Sequence, residues 1–239
     1  MDQHVFVKPT DGWVGDVIPF VEGRRVQLYY LHEARDPQRP GMPWHCYETE
    51  DFATFTDRGE VIPRGGAASP DLNVYTGSVV EFAGFQHAFY TGFNAAFHEP
   101  GQPARQLVMH ASRRIGDQAW HKHPEHTFGA PEGYEPVDFR DPFVFRADET
   151  GPWHLLVIAR KARGADRRRG VILEYVSADL AEWELHGEFW ASNRYVAIEC
   201  PEVFAFEGNW YFVFSEFSDR FATHYRVGPT AHGPWSVPE

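Results

Sequence analysis

The sequence predicts an all-β chain wound as a β-propeller. Three observations carry that reading. One short apolar pattern recurs four times, as Asp16-Val-Ile-Pro-Phe20, Gly77-Ser-Val-Val-Glu-Phe82, Asp141-Pro-Phe-Val-Phe145 and Glu199-Cys-Pro-Glu-Val-Phe204. Each copy is followed by a turn with a glycine, at 23, 84, 151 and 208, and then by an aromatic-rich run such as Tyr211-Phe-Val-Phe214. No stretch carries a helical stripe over three turns, and 18 Pro with 21 Gly suit a loop-rich chain of short strands. Four antiparallel strands per unit, recurring radially, is the pattern of propeller blades. A β-sandwich also uses many short strands, but the four-fold register favours the propeller.

The elements follow in order within each unit. The recurring apolar pattern supplies the first strand. The second spans 23–31, 84–91, 151–158 and 208–215, and the third spans 44–49, 107–112, 171–177 and 224–227. These runs are rich in β-branched and aromatic residues, which fit a pleated, half-buried surface. A weaker fourth strand is expected near Phe55, Trp120, Trp183 and Trp235. A Ser/Thr-x-Asp turn cue precedes it twice, at Thr49-Glu-Asp51 and Ser177-Ala-Asp179. In a propeller the first strands line the central channel. Alternation then puts the loops 33–43, 93–104, 161–170 and 217–222 on the face where those strands begin, and such loops carry function.

The chain reads as a single domain, 1–239, with no linker or low-complexity break. Only four blades are accounted for, where five at this spacing need about 300 residues. The expectation is therefore an incomplete propeller, with an exposed edge that invites a homodimer. With 22 basic against 34 acidic residues, the net charge of −12 is a poor match for nucleic acid or an anionic membrane. No apolar run approaches the length of a membrane-spanning helix. Met1-Asp-Gln-His-Val5 lacks the basic and apolar regions of a signal peptide. Cys46 and Cys200 read as reduced thiols, and together these features fit a cytoplasmic location.

Asp16, Asp141 and Glu199 head three of the four recurring patterns. Taken singly, each has a structural reading: Gly15-Asp16 is ordinary turn chemistry and Glu199 a solvated strand end, while Arg140-Asp141, unusual ahead of Pro and an apolar run, reads as a salt bridge capping a strand or as a functional pair. Together, at equivalent positions, they ring one mouth of the channel. Cleavage of a glycosidic bond needs two carboxyl groups flanking it, one to protonate the leaving oxygen and one to attack or to activate water. Burial and a neighbouring carboxylate can raise one pKa so that a proton is held near neutral pH. That chemistry needs no cofactor and no metal, and the partner it implies is a small carbohydrate.

The motifs Arg140-Asp141-Pro142, Glu199-Cys200-Pro201 and Tyr75-Thr-Gly-Ser78 resemble those of glycoside hydrolase family 32, the invertase, inulinase and levanase family, over nearly the whole chain. The resemblance implies the five-bladed glycosidase type of propeller and retaining release of β-fructofuranosyl residues. By position it makes Asp16 the nucleophile, Glu199 the general acid/base and Asp141 the transition-state stabiliser, with Arg140 holding the acid's charge. It places the acid in the more desolvated surroundings of Cys200 and Pro201, and the nucleophile where it stays ionised. Around Asp16 the chain departs from the family's Asn-Asp-Pro-Asn-Gly, reading Gly15-Asp16-Val-Ile-Pro19. An inverting arabinosidase or xylosidase, and a non-catalytic sugar-binding propeller, stay open as alternatives.

Trp13, Trp44, Asn73, Tyr75, Ser78, Arg140 and Cys200 are expected to contact substrate, with Phe93, Asn94 and Tyr195 also near the mouth. Aromatic faces stack on sugars and amides pair with hydroxyls. His121-Lys-His-Pro-Glu-His126 lacks the spacing of a known zinc motif and reads as an inter-blade loop. His45-Cys46 sits on one strand, where neighbours face opposite sides. The basic run Arg160 to Gly170, with Arg167, Arg168 and Arg169, is a hairpin turn that could serve as a subsite for an anionic sugar.

Overall fold

A computed structural model describes residues 7–238. The Met1–Val5 stretch read for a leader lies outside them. The strands form four antiparallel sheets, each made of consecutive strands. Blade one holds β1 (Trp13–Glu22), β2 (Arg25–Glu33), β3 (Trp44–Thr49) and β4 (Thr56–Ile62). Blade two holds β5 (Asn73–Phe82), β6 (Phe85–Phe93), β7 (Gln106–Arg114) and two short outer pieces, β8 (His121–Lys122) and β9 (Phe128–Gly129). Blade three holds β10 (Tyr134–Arg146), β11 (Trp153–Lys161), β12 (Gly170–Ser177) and β13 (Glu184–Trp190). Blade four holds β14 (Ala197–Phe206), β15 (Asn209–Phe217) and β16 (Phe221–Gly228). The predicted all-β propeller, with four blades present, is what the chain adopts.

Local sequence explains the turns. Ala83-Gly84 and Glu207-Gly208 both have positive φ at each central residue, the type I′ pairing that matches strand twist. The Ser/Thr-x-Asp cue closes the same turn twice. Thr49 Oγ1 accepts from Phe52 N and Ser177 Oγ from Leu180 N, each at 2.9 Å. The fourth strands are less regular than expected. Blade two's outer strand is broken by the turn at Pro124–His126. In blade four only the isolated bridge Val227–Ser236 stands where a strand was expected. Pro234 and Pro238 flank that bridge and offer no N–H to a ladder.

Three cores hold the blades together. Trp44, Ile18 and Tyr90 belong to the core between blades one and two. Phe89, Phe139 and Leu155 belong to that between two and three, and Phe145, Phe212 and Phe214 to that between three and four. The segment after β16 returns to the third core through Ala231 and Trp235. It is fastened there by Glu174 Oε1, which accepts from His154 Nδ1 and His232 Nε2, each at 2.7 Å. Among the described residues no helix is long and apolar enough to cross a membrane.

The feature that positions the site is a β-bulge at the same place in all four inner strands. Pairing slips between Gly15 and Val17, between Tyr75 and Gly77, between Arg140 and Phe143, and between Glu199 and Glu202. The extra residues are Asp16, Thr76, Asp141-Pro142 and Cys200-Pro201. A bulge re-aims the side chain it carries out of the ladder. Gly77 completes the bulge of blade two because a Cβ there would overlap the Phe89 carbonyl. Gly77→Ala is expected to lower stability by about 3 kcal/mol, read as a fall in the urea midpoint.

Candidate active site

The bulges show where the expected repeat holds and where it slips. Asp16 and Asp141 are equivalent, as predicted. Glu199 is not at their position: it aligns with Arg140, and Cys200 takes the place of the aspartates. The slip arises because the acid in blade four precedes the bulge and the acids in blades one and three lie on it. Its effect is to pair equivalent positions of neighbouring blades, with Arg140 Nη2 donating to Glu199 Oε1 at 3.1 Å.

A line of hydrogen bonds crosses the four inner strands. Thr76 Oγ1 donates to Asp16 Oδ2. Thr91 Oγ1 donates to Thr76 O at 3.2 Å and accepts from Asp141 N at 2.8 Å. Cys200 N donates to Asp141 Oδ2 at 3.0 Å. Asp141 and Cys200 have φ of +55° and +49°, the left-handed conformation that turns their side chains toward one another. Arg140 is held from behind by Asp138 Oδ1 at 2.7 Å and by Gln106 Oε1 at 3.3 Å.

The electrostatics follow from burial. Asp141 is buried, and loss of water pushes its pKa up to about 6. Arg140 and the Cys200 N–H oppose that rise, and the Glu199 and Asp16 charges add to it. Burial also works against the Arg140 cation, but Asp141, Asp138 and Glu199 outweigh it and raise its pKa. Burial pushes the Cys200 thiol well up, with Asp141, Asp16 and Glu199 adding, so this cysteine stays protonated and inert. The most desolvated acid is therefore Asp141. Glu199, expected in that role, is half-buried beside Arg140.

Beside Asp16 a cavity of about 430 Å³ runs along the inner strands, lined by Asp16, Thr76, Ser78, Phe143, Cys200 and Phe204. Trp13 lies at the mouth, 58% exposed, with the Arg35 guanidinium 4.4 Å from its ring centroid. Asn73 and Tyr75 are half-buried on β5, Asn73 Nδ2 donating to Phe93 O at 3.1 Å and Tyr75 stacked on Phe93.

Other expected contacts are structural. Trp44 is fully enclosed in the first core, with Nε1 donating to Tyr75 O at 3.1 Å, and it has no face left for a sugar. Ser78 Oγ donates to Pro142 O at 3.0 Å and accepts from Val144 N at 2.9 Å, pinning blade two to blade three. Asn94 is buried and spans the Ala67 and Ser69 carbonyls, and Tyr195 is packed in the third core. Within the basic run Arg160 and Arg169 pair with Glu135 and Asp166, and Arg167 with Asp219. His123, Glu125 and His126 do approach one another in blade two. Sequence reading missed Thr76, Thr91 and Gln106. Thr76 was discoverable, since it precedes the Gly-Ser of blade two as Asp16 precedes Val-Ile in blade one.

A four-bladed arrangement with carboxyl groups gathered on bulged inner strands is that of a glycosidase-type β-propeller. The chain belongs to glycosyl hydrolase family 32: residues 6–234 match the family's N-terminal domain. It is 33% identical to a sucrose-6-phosphate hydrolase of Klebsiella pneumoniae over 209 residues, which is 82% of this chain and 41% of that protein. It is 27% identical to a sucrose-6-phosphate hydrolase of Staphylococcus xylosus over 185 residues, 75% of this chain and 35% of that one. In fold it is similar to a sucrose-6-phosphate hydrolase from Lactobacillus gasseri, with a TM-score of 0.76 at 20% identity over 90% of this chain and 44% of that chain. A mutant β-fructofuranosidase of Bombyx mori in complex with sucrose gives 0.75 at 19% identity, over 92% and 47%. The chain thus spans less than half the length of these relatives.

The raised Asp141 pKa fixes a sign. A carboxyl with an ordinary value of 3.8 that rises to about 6 on folding binds its proton more tightly in the folded state. Its favourable contribution is complete below the unfolded value and is lost as pH rises through about 6. Asp141→Asn removes that penalty. The variant is expected to be more stable than the parent at pH 7, by about 3 kcal/mol at most, with the gain gone at pH 3. Urea unfolding at the two pH values measures it.

Proposed function

We propose that this site hydrolyses terminal β-fructofuranosyl residues of sucrose or fructo-oligosaccharide type, with retention through a covalent intermediate. The observation that carries the reading is the gathering of Asp16, Asp141 and Glu199 on the bulged inner strands of blades one, three and four, with Arg140 bonded to Glu199. Asp16 faces the cavity and is oriented by the Thr76 hydroxyl, as a nucleophile must be to attack an anomeric carbon in line. Glu199 is reachable from solvent at the mouth. It can protonate the leaving oxygen and then deprotonate the water that releases the sugar. Asp141, too buried to exchange protons with a leaving group, is placed to accept from ring hydroxyls of the sugar. Positive charge then develops on the ring where three carboxyl groups surround it, which is where it is best stabilised.

The relatives named for sucrose 6-phosphate make phosphorylated sucrose a candidate beside sucrose. The cavity wall carries no Lys or Arg among the described residues, and Arg160 and Arg169 of the basic run are spent on carboxylates. A neutral fructosyl group in the cavity, with variation confined to the leaving sugar at Trp13, is the reading these contacts support. A cytoplasmic location is part of the proposal and rests on two unpaired cysteines.

The deciding experiment is sugar release from sucrose, sucrose 6-phosphate, inulin and levan oligosaccharides, and aryl arabinofuranosides and xylosides. Fructose release that disappears in Glu199→Gln and Asp16→Asn is expected. Release of a pentose instead overturns the fructosyl assignment. Thr76→Val, which keeps shape and loses the hydroxyl, is expected to lower kcat about tenfold or more with KM nearly unchanged, from the size of a charge-assisted hydrogen bond. Thr76→Ser should restore most of it. Equal losses in Val and Ser would remove the orienting role.

A further inference from the structure

Blade two carries four histidines that the carboxylate site does not use. His87 lies on β6 and His110 on β7, while His123 and His126 bracket Pro124-Glu125 in the turn that parts β8 from β9. Their rings gather around His110, whose centroid is 4.7 Å from that of His123 and 5.2 Å from those of His126 and His87. His87 Nδ1 and His110 Nε2 are 3.0 Å apart, His110 Nδ1 and His126 Nδ1 2.9 Å, and Ser112 Oγ and His123 Nε2 2.8 Å. His110 and Ser112 are buried and lie two residues apart on β7, so both support the turn from one face of the sheet. The turn is held as well by its backbone. His123 N donates to His110 O at 2.9 Å and His126 N to His123 O at 3.1 Å, and Pro124 has a fixed φ.

We propose that His123, Glu125 and His126 bind a divalent transition-metal ion, zinc by preference, at the outer edge of blade two. One nitrogen of each histidine and one oxygen of Glu125 lie within 4.8 Å of one another. Side-chain rotation closes that spread onto one ion with bonds of about 2.0–2.2 Å. Two imidazoles and a carboxylate suit zinc and its neighbours, whereas calcium and magnesium take oxygen ligands. A neutral imidazole has one N–H and one lone pair, so the bonds decide which nitrogen can ligate. With His126 Nδ1–H donating to His110 Nδ1, and His110 Nε2–H to His87 Nδ1, His126 Nε2 keeps its lone pair and has no partner among the described residues. With His123 Nε2–H donating to Ser112 Oγ, the Nδ1 lone pair faces Glu125 Oε1 at 3.4 Å. Two acceptors then oppose one another, and a cation between them turns the opposition into two bonds. Each histidine thus gives its second nitrogen to a buried partner, as metal-ligating histidines do. None of these residues lines the cavity beside Asp16. The ion's role is to fasten the broken outer strand of blade two. Spacing alone hid the site, because its supports come from β6 and β7.

Zinc alone is the probe. The full chain, stripped with a chelator, is titrated with zinc against a chromophoric indicator and melted with and without the ion. One equivalent bound and a higher Tm are expected, since an ion held only by the folded state stabilises it. Cobalt in its place should give the visible bands of a tetrahedral site. His123→Gln and His126→Gln should abolish uptake with the far-ultraviolet spectrum unchanged. Ser112→Ala keeps every ligand and is expected to weaken zinc about tenfold or more, an effect that chance binding to surface histidines would not show. His232→Gln, in the other close group with His154 and Glu174, should leave uptake intact. A parent that takes up no zinc at micromolar concentration overturns the proposal. So does uptake that persists in both His→Gln variants, or an affinity that Ser112→Ala leaves unchanged.

Discussion

The rest of the site depends on the hydrogen bond from Cys200 N to Asp141 Oδ2. It joins the bulge of blade three to that of blade four and requires both residues in the left-handed region, where neither is glycine. Such backbone is held only where its surroundings over-determine it. Here the surroundings are the Thr91 hydroxyl under Asp141 N and the Ser78 pin on Pro142 and Val144. Blade two, which contributes no acid of its own at the mouth, thus fixes the backbone that presents the acid of blade three.

The same arrangement explains how four charged groups share one small volume. Arg140 sits between Asp138 and Glu199, and Asp141 adjoins it in sequence. One guanidinium cannot neutralise three carboxylates, and the excess falls on the group with least water. That is Asp141, whose proton affinity rises. Asp16 and Glu199 keep solvent on one side. Burial, and not the order of acids along the chain, sets Asp141 apart from Asp16 and Glu199.

Much of the fold was legible because a propeller repeats. The second and third strands were readable from aromatic runs between glycine turns, and the Thr49 and Ser177 turns from their spacing alone. The fourth strands were legible in blades one and three, near Phe55 and Trp183, but not in blades two and four, where the turn at Pro124–His126 and the prolines beside Ser236 break the pairing. At the site, Asp16 and Asp141 were visible as repeat equivalents. The offset of Glu199 was hidden, because a bulge adds residues without changing composition. Trp44 and Ser78 carried the right chemistry for a sugar contact, and only burial shows that their polar atoms are spent on backbone. Thr76 went unread because a hydroxyl stood where an acid was sought.

Each sheet is made of strands adjacent in sequence, so most pairing is local and each blade can form as it leaves the ribosome. The segment that runs from Gly228 to Ser236 is different. Its Trp235 fills the core between blades three and four, and His232 reaches back 58 residues to the carboxylate of Glu174. Until that segment is made, the side of the third core that Ala231 and Trp235 cover lies open. Assembly therefore proceeds blade by blade but is locked from behind. A chain released before Trp235 would carry all three acids of the mouth but a loosely docked fourth blade, and would meet chaperones in that state.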